Sequence, residues 1–96
     1  MRHEEGKNLK KSARVVLASK NGLHARPATK FVEIANKFAS NITVDKDGNT
    51  ADGKSVIEIL TLAAEHGSLL VISAEGKDAA QAVKVLSALV RNGFAE

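Results

Sequence analysis

Cysteine, tryptophan and tyrosine are absent from this 96-residue chain, and proline occurs once. Without cysteine there are no disulfides and no thiolate metal ligands, a usage that fits a reducing compartment. Three Phe make up the whole aromatic complement, which disfavours the base-stacking platforms of RNA and single-strand binders. No apolar run approaches the roughly 20 residues that a membrane-spanning helix needs. The opening MRHEEGKNLKK lacks the apolar core of a secretory signal, so the expected location is cytoplasmic, with no membrane insertion. One domain is expected, because a chain this short holds a single core.

Charge is unevenly spread. The net charge is +3, but residues 1–20 hold six of the Lys and Arg against Glu4 and Glu5, and residues 21–96 hold eight against nine acids. The basic balance therefore belongs to the first segment. A nucleic-acid-binding domain carries its own basic face, so nucleic acid is not an expected partner. Residues 1–12 are polar apart from Met1 and Leu9, and read as a flexible basic tail preceding a domain at 13–96.

The run ARVVLAS at 13–19 has the length of a strand, and KNG follows as a turn. Ala28, Phe31, Val32, Ala35 and Phe38 recur at helical spacing, which predicts a helix over about residues 25–38. NITVDKDGNTAD contains a strand from Ile42 to Asp45, a turn at Asp47-Gly48 and a weaker second strand, a hairpin signal. GKSVIEILTLAAEHG reads as a second helix with Ser55 as N-cap and Gly67 as stop. SLLVISAEG is the strongest strand and KDAAQAVKVLSALVRNG the strongest helix. In that helix Asp78 and Gln81 suggest a capping box, and Gly93 suits the position after the helix end. The order βαββαβα predicts an α+β fold with helices on one face of a mainly antiparallel sheet, a ferredoxin-like arrangement being the rival.

The stretch NGLHARPA, residues 21–28, sits at the first helix start. The first N–H groups of a helix lack internal partners, and the macrodipole adds positive potential, so an anion is favoured there. Pro27 fits the first turn, where its missing N–H costs nothing. Arg26 is the odd residue, because a cation at that end is unfavourable unless an anion offsets it. Positive potential also favours the neutral, nucleophilic imidazole of His24, and would hold a captured phosphoryl group. Gly22 suits a left-handed turn that exposes the ring. A lone histidine at a helix start is equally compatible with an ordinary capping role. His3, His24 and His66 show no metal-ligand spacing, so no metal is expected.

These motifs resemble the HPr family, the histidine-containing phosphocarriers of the bacterial phosphotransferase system. GLHARPA is similar to the family's active-site signature. GKSVIEILTLAAEHG is similar to its regulatory-serine region, and VISAEGKD to the last strand and the turn into the last helix. The resemblance covers about residues 13–93. It implies an open-faced β-sandwich with four antiparallel strands in order 1-4-2-3 and three helices on one face. It implies phosphorylation of His24 at Nδ1, with Arg26 contacting the phosphoryl group and Ala25 and Arg26 offering backbone N–H groups. Enzyme I would be the donor and an EIIA-type protein the acceptor, with the chain a monomeric carrier, not an enzyme, and without a cofactor.

Ser55 matches the family's regulatory serine, a target of HPr kinase/phosphorylase, although a plain N-cap explains a serine there too. Val56, Ile57, Ile59, Leu60, Leu62 and Ala63 are too many apolar residues for one buried face of a short helix. Val56, Ile57 and Leu60 match positions where the family docks its partners. Lys54 to Ile57 is shared between the sugar-transport branch and the nitrogen-related branch, whose member NPr acts in regulation. A regulatory binding module working through Ser55 is therefore the alternative function.

Overall fold

The computed structural model describes residues 9–95. Seven elements follow in chain order: β1 (Lys10–Val16), α1 (Ala25–Ala35), β2 (Asn41–Lys46), β3 (Asn49–Asp52), α2 (Val56–Thr61), β4 (Leu69–Glu75) and α3 (Ala79–Arg91), with a 3-10 turn at Gly93–Ala95. The strands form one sheet in the order β1-β4-β2-β3, every neighbouring pair antiparallel. This is the 1-4-2-3 order expected from the family resemblance, and it sets aside the ferredoxin-like rival.

Strand alternation decides which face is covered. Val15, Ile42, Val44, Ala51, Leu70, Ile72 and Ala74 point inward and are buried, as the period-2 pattern of a half-buried sheet requires. Against them pack Ala28, Phe31, Val32 and Ala35 of α1, Ile59 of α2, and Ala79, Ala82, Val83, Leu86 and Val90 of α3. Those positions repeat at three- and four-residue intervals, so each long helix presents one apolar stripe. Among the described residues no helix covers the opposite sheet face.

Among the differences from expectation are three boundaries and one capping bond. The tail predicted at 1–12 is shorter at its end, because Lys10, Lys11 and Ser12 pair with Glu75, Ala74 and Ser73. Their polarity reflects an edge strand, not a lack of structure. The rest of that segment, residues 1–8 with His3, lies outside the described residues. The first helix stops at Ala35 and not at 38, with Asn36 as its C-cap. The second helix ends at Thr61, six residues before Gly67. Leu62 and Ala64 are pulled into the core, Ala63 takes a left-handed φ of 51°, and Gly67 serves a later turn by donating to the Leu17 carbonyl at 2.8 Å. His66 accordingly lies in that turn and not at a helix end.

Asp78 is the fourth difference. It occupies the N-cap position of α3 but makes no capping bond. Its carboxylate instead accepts N–H bonds from Ala39 at 2.8 Å and Ser40 at 3.0 Å, and the Ser40 hydroxyl as well. These bonds, that of the Ser40 hydroxyl first, hold the carboxyl below its ordinary value of 3.8. The linker before β2 is thereby tied to the linker before α3. Gly93 does follow the helix, with φ 63°.

Candidate functional site

The loop from Leu17 to His24 is fixed by backbone bonds at both ends. Leu17 donates to Ser68, Gly22 returns to the Ser19 carbonyl at 3.1 Å, and Leu23 donates to the Ala64 carbonyl at 2.9 Å. Gly22 has φ 76°. A Cβ there would sit 2.5 Å from the Ala64 oxygen, so both conformation and space require glycine. Leu23 is buried, whereas His24 is exposed. The chain thus anchors one residue and presents the next.

His24 is the N-cap of α1, with extended backbone (φ −83°, ψ −169°) and no side-chain capping bond. Its carbonyl accepts the Ala28 N–H at 3.0 Å, so the internal ladder of the helix begins at Ala28. Pro27 has no N–H to offer. Of the first-turn donors, those of Ala25 and Arg26 are left for an outside acceptor. No acidic residue lies in this first turn. Arg26 is exposed and Pro27 buried, so the proline closes the helix start against the core while the arginine stands in solvent.

A hollow of about 220 Å³ lies beside Arg26, lined also by Pro27, Lys30, Phe94 and Ala95. A second, shallow concavity of about 530 Å³ runs along α1 over Ala25, Arg26, Thr29, Lys30 and Glu33. Lys30 is a cation one turn from Arg26 that local motif reading misses. Its i,i+4 relation to Arg26 was the available signal. Phe94 is reachable only through the tertiary fold, as is the Ala64 carbonyl.

Ser55 is the N-cap of α2, as expected, and its hydroxyl accepts the Glu58 N–H at 3.2 Å. The surplus of apolar residues in this helix divides between two sides. Ile59 is fully buried, whereas Ile57 is 73% and Leu60 38% exposed. Val56 is only partly buried and packs against the core, so it belongs to the margin of that exposed pair. The Leu23–Ala64 bond sets the loop bearing His24 beside the segment that immediately follows α2. His24, Arg26 and the exposed face of α2 are therefore gathered at neighbouring helix ends, with α1 packed on α2.

Among the described residues no group of three His, Cys, Asp or Glu converges to hold a metal. No helix there is long and apolar enough to cross a membrane.

A family model described as "PTS HPr component phosphorylation site" matches residues 11–92. The phosphocarrier protein HPr of Haemophilus influenzae is 47% identical over 76 residues, which cover 79% of this chain and 89% of that protein. Among solved structures, an HPr from Thermoanaerobacter tengcongensis superposes with a TM-score of 0.86 at 41% identity, covering 90% of this chain and 97% of that one. An HPr dimer from the same organism gives a TM-score of 0.72 at 43% identity, covering 85% and 97%.

Proposed function

The chain belongs to the HPr family of phosphocarriers, which are not enzymes, and from that premise we propose that His24 is its phosphoryl-accepting residue. The supporting observation is the start of α1. It has an exposed imidazole, two N–H groups without internal acceptors, and Arg26 with no acid in the same turn to offset it. Phosphoryl transfer is chiefly a matter of positioning and charge stabilisation. The ring nitrogen Nδ1 attacks the phosphorus of the donor's phosphoryl group. The Nδ1 lone pair becomes the new N–P bond as the bond from phosphorus to the donor breaks, and that bond's electron pair leaves with the donor. The phosphoryl oxygens then accept from the Ala25 and Arg26 N–H groups and from the guanidinium. Pro27 fixes the helix start that aims those donors.

The donor in this reading is enzyme I, charged by phosphoenolpyruvate, and the acceptor an EIIA-type protein, both cytoplasmic. Ile57 and Leu60, with Val56 at the edge, form the apolar contact, small enough for the brief complexes that a relay needs. The working unit is the monomer. The described part of the domain begins at Leu9, whose carbonyl accepts the Gly76 N–H at 2.9 Å.

Ser55 supports a regulatory layer. Phosphorylation by an HPr kinase/phosphorylase would place about −1.5 to −2 charges next to Glu58 and Ile57. It would replace the hydroxyl that now accepts the Glu58 N–H, and repel a partner from the apolar contact. In the regulatory alternative this charge, not carriage, is the output, and Ser55→Ala abolishes signalling while transfer persists.

Incubation with enzyme I and phosphoenolpyruvate tests the carrier reading. It predicts an acid-labile, base-stable phosphate on this protein and none on His24→Ala. Equal labelling of the two proteins refutes the site.

A further inference from the structure

The exposed large aliphatic side chains outside α2 are Val16, 53% exposed, and Leu69, 44% exposed. They are cross-strand partners, and strand alternation puts them on the sheet face that no helix among the described residues covers. Val71, next but one along β4, extends the same apolar strip. The charges beside the strip are ordered. Arg14, Val71 and Asp45 lie in one row across β1, β4 and β2. The cation is thus on one side of β4 and the acid on the other.

We propose that this face associates weakly with a second copy of the chain, sheet on sheet. The charge order selects the arrangement. A two-fold axis parallel to the strands and centred on β4 sets Arg14 of each copy over Asp45 of the other. It also stacks Leu69 and Val71 on their own counterparts. A two-fold axis across the strands would set β1 over β1, opposing cation to cation, and is disfavoured. The first arrangement is the aligned sheet packing seen in β-sandwiches, with faces about 10 Å apart. Four strands about 4.8 Å apart make a narrow face. It falls short of the area of a stable dimer, so the association is weak and concentration-dependent. The helices of both copies stay outward, and His24 remains accessible in each.

Amide chemical shifts of the full chain, followed from micromolar to millimolar concentration, test this. The expected result is progressive change at Arg14, Val16, Leu69 and Val71, diminished by added salt, with Ile57 and Leu60 unmoved. Leu69→Glu, a change at an exposed site, should abolish the concentration dependence without altering phosphorylation by enzyme I. Arg14→Asp should also abolish it, and Arg14→Asp with Asp45→Arg should restore it. Asp45 also accepts bonds from Gly48 and Thr50, so folding of the double variant is checked by its shift dispersion. If it does not fold, Leu69→Glu and the salt series decide. Shifts that do not vary with concentration overturn the proposal, as do changes centred on α2.

Discussion

α1 and α2 begin in opposite ways. At α2 side chains bond the backbone at and before the first turn. The Ser55 hydroxyl accepts the Glu58 N–H, the Glu58 carboxylate accepts the Asp52 N–H at 2.8 Å, and the Asp52 carboxylate accepts the Lys54 N–H at 2.9 Å. An acid, Glu58, also sits in that first turn. At α1 the cap is a histidine that does not cap, no acid is present, and a cation occupies the second position. One helix start carries a side-chain cap and an acid of its own, and the other carries neither. Within one small domain, the same backbone chemistry supports a capped end and, in the proposed reading, a phosphate-receiving end.

The sharpest way to break this contrast is His24→Ala, which should eliminate phosphorylation by enzyme I while leaving the thermal midpoint close to wild type. A residual label of comparable size would move the site elsewhere. Next in size is Gly22→Ala. A side chain at φ 76° against the Ala64 oxygen should cost about 1–3 kcal/mol in denaturant unfolding and slow transfer, since the loop presenting His24 must shift. An unchanged midpoint would mean that the loop is not pinned there. Ser55→Ala should cost about 1 kcal/mol through the lost cap, with acceptance at His24 retained. A Ser55→Ala protein as stable as wild type would remove the contrast from the α2 side.

α3 supplies a control on what a serine does in a helix. Ser87 is 3% exposed and its hydroxyl has no partner among the described residues. Ser87→Ala should therefore stabilise by about 0.5–1 kcal/mol, opposite in sign to Ser55→Ala. Smallest at neutral pH is the signature of Asp78. Its folded-state value is lowered, so the stability it adds is complete above the ordinary 3.8 and fades as pH falls through the depressed value. Asp78→Asn should flatten that acid limb in a stability–pH series, and an unchanged limb would contradict the clasp on Ala39 and Ser40.

The difference between the helix starts was partly legible in the amino-acid sequence, for a physical reason. Gly22, His24, Arg26 and Pro27 act through their own φ angles and their places in one helical turn, and such local facts survive without a fold. Ser55 as a cap is equally local. Gly67 misled because glycine marks any left-handed turn, and the burial of Leu62 and Ala64 had already ended the helix. Asp78 and Gln81 had capping-box spacing, but a carboxylate bonds the nearest donors, and those came from residues 39 and 40. The Ala64 carbonyl, Phe94 and the covered face of the sheet depend on contacts far apart along the chain, which no local pattern encodes. Strand order likewise came from the family resemblance and not from hydrophobic alternation.

Nitrogen-15 and proton NMR of the protein after charging by enzyme I bears most directly on the claim that the open end of α1 receives the phosphate. Phosphorus coupled to Nδ1 of His24, with large downfield shifts of the Ala25 and Arg26 amides and little change at Glu58, is the predicted result. Phosphate on another residue, or on His24 with those two amides unmoved, would contradict it.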